Sequence, residues 1–160
     1  MFGARLKAEL QRSQQLLATQ SHILNAIRKN IAWIEFTPEG EILDANTAFL
    51  NVVGYQLEEV RGRRHSLFCA PELVNSNEYR RFWQRLASGE SFSDRFDRIA
   101  KDGKQVWLEA SYIPVIGANG RVSKVVKLAF SQRRKTLRNT LKDFFTAEEL
   151  GKFSTKRAEE

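Results

Sequence analysis

The second half of the chain contains three strand-like runs separated by two glycine turns, and this pattern constrains the fold more than any other feature. The runs cover residues 92–100, 105–115 and 122–130. The turns at 101–104 and 117–120 contain Asp-Gly and Asn-Gly, dipeptides that are typical of tight β-hairpins. The pattern therefore predicts an antiparallel meander of three strands.

Two further strand-like runs come earlier, at residues 32–36 and 41–45, with Pro38 and Gly40 in the turn between them. The stretch between the two groups of strands is helical in character. Asn46 or Thr47 can cap a short helix that ends at Gly54. This order predicts an α+β fold, with a five-stranded antiparallel sheet and short helices on one face.

Another helix is predicted after Ser76, which is a favourable N-cap residue. The apolar positions that follow are spaced i, i+3, i+4 and i+7, as on one face of an amphipathic helix. They are Tyr79, Phe82, Trp83 and Leu86.

The N-terminal segment 4–31 predicts a single long helix without proline or internal glycine. Its apolar residues follow the four-three spacing of a coiled-coil seam, interrupted by Ser13 and Gln20. The stripe either packs on its own domain or pairs with a partner helix, which would make the chain a homodimer. We therefore divide the sequence into a helix at 1–30, a globular domain at 31–130 and a basic helical tail at 131–160.

The net charge of +7 is concentrated in the two flanking segments, whereas residues 31–130 are balanced. This distribution weakens a nucleic-acid interpretation for the domain and leaves it open only for the tail. One cysteine and two histidines exclude an intramolecular disulfide and a multi-thiolate zinc site. No apolar run is long enough to cross a membrane and no secretory signal is visible, so we expect a soluble, cytoplasmic protein without membrane insertion.

Residues 30–130 resemble PAS domains of bacterial methyl-accepting chemotaxis proteins, including receptors for aerotaxis and biofilm dispersion. The resemblance is carried by short sequence segments in a fixed order, among them 41–46, Gly54-Tyr55, 101–103, 107–112 and 124–127. It implies a module that senses a redox or oxygen cue, or a small ligand. It also implies signalling partners of the chemotaxis type, and we expect the module to lack its own signalling domain.

The same resemblance implies a flavin (FAD) or haem cofactor, although a ligand-free module for dimerisation or scaffolding remains an alternative. His65, the only histidine of residues 31–130, is either a haem ligand, a flavin contact or a structural residue. Trp83 and Trp107 match tryptophan positions of flavin-binding aerotaxis domains, and each either stacks on a cofactor or fills the core. Asn46 either contacts a flavin ring or caps the following helix.

No nucleophile elbow, metal-protease helix, phosphate loop or paired-carboxylate motif is present, so an enzyme is not expected. We predict that Cys69 is a structural thiol. The acidic residues near the start of the third strand alternate with Arg95 and Arg98, which predicts a solvated face.

The stretch 129–142 resembles part of the C-terminal domain of the ribosomal small-subunit adenine dimethyltransferase. Residues 132–145 predict a helix with an apolar stripe and a basic cluster. The stripe would dock on the sheet or on the N-terminal helix, and RNA binding through the basic cluster is the alternative.

Overall fold

The computed structural model describes residues 1–130 of the chain. The predicted tail at 131–160, with its basic helix and most of the stretch that resembles the dimethyltransferase, lies outside these residues. Five strands form one sheet in the order β2-β1-β5-β4-β3, and every neighbouring pair is antiparallel. The strands are β1 Ala32–Phe36, β2 Ile42–Ala45, β3 Phe92–Ile99, β4 Gln105–Ile116 and β5 Val122–Phe130. The five-stranded antiparallel sheet and both predicted hairpins are thus confirmed.

The helices lie before β1 and between β2 and β3. They are α1 Phe2–Asn30, α2 Thr47–Val53, α3 Leu57–Val60, a 3₁₀ helix at His65–Phe68, α4 Pro71–Val74 and α5 Asn77–Ala87. The predicted caps are confirmed, because Asn46 accepts from the Phe49 amide and Ser76 accepts from the Tyr79 amide. Gly54 ends α2 with a φ of 76°, a left-handed conformation that favours glycine.

One face of the sheet packs against α2, α5 and the 3₁₀ helix, and the core lies between these two layers. Alternate residues of each strand point into the core, as the twofold period of a strand requires. The fully buried side chains of this layer include Ile34, Phe36, Phe49, Leu86, Leu108, Tyr112 and Val125. The opposite face is the outer face, where Trp107, Ile113 and Phe130 are substantially exposed.

Helix α1 contributes no buried residue, although it carries a heptad stripe. Only its C-terminal end contacts the sheet: the guanidinium of Arg28 lies 4.4 Å from the ring of Trp33 and 3.6 Å from the carboxylate of Glu35. The stripe therefore has no partner within residues 1–130.

Candidate functional site

A chain of polar side chains crosses the core between the sheet and the helices. His65 is 1% exposed and lies at its centre. Its Nδ1 is 3.0 Å from the hydroxyl of Tyr79 on α5, and its Nε2 is 2.9 Å from the hydroxyl of Tyr112 on β4. Tyr112 in turn accepts a hydrogen bond of 2.9 Å from Arg98 Nη2. Four residues from four separate elements thus form one connected hydrogen-bond network.

The β1–β2 turn and the 3₁₀ helix hold His65 in this position. The His65 amide donates to the carbonyl of Gly40, at 2.8 Å. Gly40 has a φ of +89°, and a Cβ at this residue would lie 3.0 Å from the indole of Trp83. A tight glycine turn therefore lets the backbone approach both His65 and Trp83.

Two cationic side chains are buried beside this network. Arg98 is 4% exposed and Lys127 is 1% exposed, and no carboxylate of residues 1–130 forms an ion pair with either one. The Lys127 ammonium lies 4.9 Å from the centre of the Tyr112 ring and 5.7 Å from that of Phe49. Attraction to the ring faces compensates only part of the desolvation cost, which reaches several kcal/mol for a buried ion.

Burial and mutual repulsion set the protonation of the cluster. Burial, with a further contribution from the charges of Arg98 and Lys127, holds the pKa of His65 well below its ordinary range. Burial also lowers the pKa of Lys127 well below its usual value. It raises the pKa of Tyr112 and that of Tyr79 to about 12. At neutral pH the imidazole and both phenols are therefore uncharged.

Aromatic rings and a thiol complete the surroundings of His65. Its ring packs edge-on against Trp83 and Phe36, with centroid distances of 5.3 Å to each. The Cys69 sulfur lies 3.6 Å from Nδ1, so the thiol that the sequence left without a histidine partner is adjacent to one. Burial raises the pKa of Cys69, which keeps the thiol protonated.

Two clefts reach the network from either side of Tyr79. One, of about 330 Å³, lies between the β1–β2 turn, the 3₁₀ helix and α5, and it is lined by Trp83 as well as by Tyr79. The other, of about 230 Å³, lies between α5 and β3, and Arg98 contributes to its wall. The indole Nε1 of Trp83 and the Nε of Arg98 are buried without a hydrogen-bond partner in the described part of the chain.

Of the four predicted site residues, the structure brings together His65 and Trp83. Asn46 is used by the backbone: it accepts from the amides of Trp33 and Phe49 and donates to the carbonyls of Ile31 and Arg28. Trp107 is 49% exposed on the outer face, where the Arg95 guanidinium lies 4.9 Å from its ring centre. Of the two alternatives for Trp107, core filling is wrong, because neighbouring residues of a strand point to opposite faces and Leu108 is the buried one.

The sequence interpretation missed most of the network. It assigned Arg98 to a solvated face, and this is wrong because Arg98 points inward from β3 toward Tyr112. It treated Tyr79 as part of an apolar stripe and gave Tyr112 and Lys127 no role. One signal was available for Lys127, since a lysine alternates there with Val125 and Ala129 on the inward face of a strand.

Comparison with known proteins identifies the family. The profile of the PAS fold matches residues 42–129, more than half of the chain. The chain belongs to the PAS family. Its sequence is 46% identical over 104 residues to the biofilm dispersion protein BdlA of Pseudomonas aeruginosa, covering 65% of this chain and 25% of that protein. It is 29% identical over 82 residues to the aerotaxis receptor of Escherichia coli, covering 51% of this chain and 16% of the receptor.

The PAS domain also has structural neighbours. A light-oxygen-voltage domain studied with a flavin analogue aligns with a TM-score of 0.60 at 20% identity, over 76% of this chain and 93% of that one. Similarity at this level establishes the fold alone. The chain spans a quarter or less of the two curated relatives named above. Within residues 1–130 no helix is long and apolar enough to cross a membrane, and no cluster of three metal-ligating side chains is found.

The PAS family implies haem or flavin, and the side chains present here do not fit either group. Haem ligation needs a free imidazole nitrogen, but both nitrogens of His65 lie within hydrogen-bond distance of tyrosine hydroxyls. A flavin ring needs a planar space between sheet and helices. Here Phe36, Tyr112 and Trp83 fill that space with edge-on contacts.

Proposed function

We propose that this PAS domain is a cytoplasmic sensory module of the chemotaxis-receptor type, which detects a small-molecule cue at the His65 network and relays it through its flanking helices. The burial of Arg98 and Lys127 beside His65, with no carboxylate of residues 1–130 paired to either, carries the proposal. Buried cations without a paired carboxylate reduce stability, and such costs are usually retained at functional sites. A sensory role, without catalysis, accounts for such a site in a domain of this family.

A route from the network to α1 runs through the sheet. Lys127 on β5 is paired with Tyr112 on β4 at one side and with Ile34 on β1 at the other. A change at the network therefore alters the packing of β1. Asn46 binds the start of β1 to the carbonyls at the end of α1. Ligand binding that favours one arrangement of these contacts would shift the equilibrium of the helix.

The exposed stripe of α1 supports homodimerisation. Leu6, Leu10, Leu17 and Leu24 are each between 56% and 61% exposed. Two copies of the helix would bury this seam against each other, as in a short coiled coil. The polar residues at two seam positions would keep the association weak enough to respond to a signal.

Sedimentation velocity tests the dimer. Leu10→Glu combined with Leu17→Glu places charge in the seam, and we expect the variant to sediment as a monomer. Gln15→Glu combined with His22→Glu introduces the same two glutamates on the opposite side of α1 and is the matched control. We expect this control variant to remain dimeric. A monomeric wild-type protein, or dimerisation unaffected by the seam variant, would contradict this part of the proposal.

The sensory proposal is tested on the protein purified after expression with haem and flavin supplied. An absorption spectrum and native mass spectrometry together detect coloured and colourless ligands. We expect a spectrum without haem or flavin bands and a bound small molecule in the mass spectrum. A Soret band or a flavin doublet would overturn the ligand-sensing form of the proposal in favour of a chromophore. The absence of any bound species after attempted loading would favour a scaffold module.

A further inference from the structure

The hydrogen-bond network of the core has a definite direction. Arg98 can only donate, so Tyr112 Oη accepts from it. The Tyr112 hydroxyl hydrogen is then available for Nε2 of the neutral His65, whose proton consequently lies on Nδ1. Nδ1–H donates to the oxygen of Tyr79. In this arrangement each of the three hydrogen bonds that link Arg98, Tyr112, His65 and Tyr79 has one donor and one acceptor, and the hydroxyl hydrogen of Tyr79 is left over.

The opposite tautomer is less favourable. If Nε2 carried the proton, His65 would donate to Tyr112, which already accepts from Arg98. The Tyr112 hydrogen would then lack an acceptor within a fully buried residue, and an unsatisfied buried donor costs roughly 1–3 kcal/mol. Tyr79 is only partly buried and lines both clefts, so its leftover hydrogen can reach a ligand.

The cleft of about 330 Å³ is therefore lined by residues with hydrogen-bond donors that lack an acceptor. The hydroxyl hydrogen of Tyr79 is the end of the network. Trp83 lines the same cleft, and its buried Nε1–H forms no hydrogen bond of good geometry among residues 1–130. Arg64 and Arg80 also line the cleft, against a single carboxylate from Glu39, so its charge is positive.

We propose that the cleft between the β1–β2 turn and α5 binds a small organic anion, whose carboxylate or phosphate oxygens accept from Tyr79 and Trp83 while Arg64 and Arg80 neutralise its charge. This assignment rests on the proposed sensory function and names the ligand class. The cleft volume of about 330 Å³ suits a metabolite of a few carbon atoms. Because Tyr79 is bonded to His65, binding reaches the buried network directly.

The test is a titration of the ¹⁵N-labelled full chain with citrate and, separately, with inorganic phosphate, at constant ionic strength set with sodium chloride. The three tryptophans give three indole N–H signals, and a Trp83→Phe variant identifies the one from Trp83. We expect a saturable downfield shift of the Trp83 indole with at least one probe, and unchanged signals from Trp33 and Trp107. Saturation by citrate assigns a carboxylate ligand, and saturation by phosphate alone assigns a phosphate ligand.

Two pairs of variants locate the site. Tyr79→Phe keeps the ring and removes the donor, and we expect binding about tenfold weaker, equivalent to about 1.4 kcal/mol. Tyr55→Phe removes a hydroxyl that does not line the cleft and leaves the affinity unchanged. Arg80→Gln weakens binding by a similar factor, whereas Arg81→Gln, the neighbouring exposed arginine outside the cleft, does not. Because Arg80 is exposed, its variant folds even if Tyr79→Phe does not.

Shifts that do not saturate, or that affect all three indoles equally, would overturn the anion site, as would unchanged affinity in Arg80→Gln. The sensory proposal would survive that result if native mass spectrometry still found a bound molecule. If neither experiment detected a ligand, both proposals would fall together.

Discussion

The two faces of the sheet use the same residue types in opposite ways. On the outer face, Lys124 lies 3.0 Å from the carboxylate of Glu35, and Arg95 stacks on Trp107. On the inner face, Lys127 and Arg98 are buried, and no carboxylate in the described part of the chain pairs with them. Outer cations are compensated at little cost, whereas inner cations are expensive. This difference in cost is the basis of the proposed sensory role of the inner face.

The largest contrast is expected between the two tryptophans of the opposite faces. Trp83→Ala opens a cavity in contact with His65 and Phe36 and should lower the unfolding free energy by roughly 3–5 kcal/mol. Trp107→Ala removes a half-exposed ring and should cost less than about 1 kcal/mol. Urea denaturation followed by circular dichroism measures both. Equal losses would show that the outer face is as tightly packed as the core.

The two lysines of β5 should respond with opposite signs. Lys127→Met replaces a buried amine with an apolar side chain of similar length and should raise the unfolding free energy by about 1 kcal/mol or more. Lys124→Met removes the ion pair with Glu35 and should lower the unfolding free energy by about 0.5–1 kcal/mol. Urea denaturation of both variants and the wild-type protein measures the two changes in unfolding free energy. A destabilised Lys127→Met would mean that the inner lysine is structural.

Acid should destabilise the inner face through His65, and Lys127, whose pKa is also lowered by burial, adds to the pH dependence. The folded pKa of His65 is depressed by burial and by its cationic neighbours, so below a pH of about 6.5 the unfolded chain binds a proton that the folded chain does not. The stability contribution is complete above that pH and falls by up to about 1.4 kcal/mol per pH unit as the pH decreases. Denaturation between pH 7.5 and 5.5 measures the slope. His65→Gln should reduce the slope, and an unchanged slope in this variant would assign the effect to other groups.

The smallest effect is expected at Arg95. Its exposed guanidinium stacks on Trp107, and Arg95→Gln should change the unfolding free energy by about 0.5–1 kcal/mol at most. Thermal denaturation at low and high salt checks this value. A larger loss would remove the distinction between the two faces that the comparison depends on.

The sequence predicted the fold well because the turns and strand periods are local signals. All five strands were expected within one or two residues of their observed bounds, since glycine turns and alternation fix them. The network was not predictable in the same way. Whether Arg98 on an edge strand faces water or a tyrosine depends on its register with β4 and on the helices above it. The alternation of charges along β3 reveals neither the register with β4 nor the position of the helices. In the sequence, Tyr79 and Tyr112 look like ordinary core aromatics, and only the fold shows that His65 lies between them.

The central claim is that a neutral His65 carries its proton on Nδ1 and donates this proton in a hydrogen bond to the hydroxyl oxygen of Tyr79. Long-range ¹H–¹⁵N correlation spectra of the imidazole nitrogens at pH 7 measure this directly, and only His22 and His65 contribute signals, so His65→Gln assigns them. We predict a protonated Nδ1 and an unprotonated, hydrogen-bonded Nε2. A doubly protonated imidazolium, or a proton on Nε2, would contradict the account.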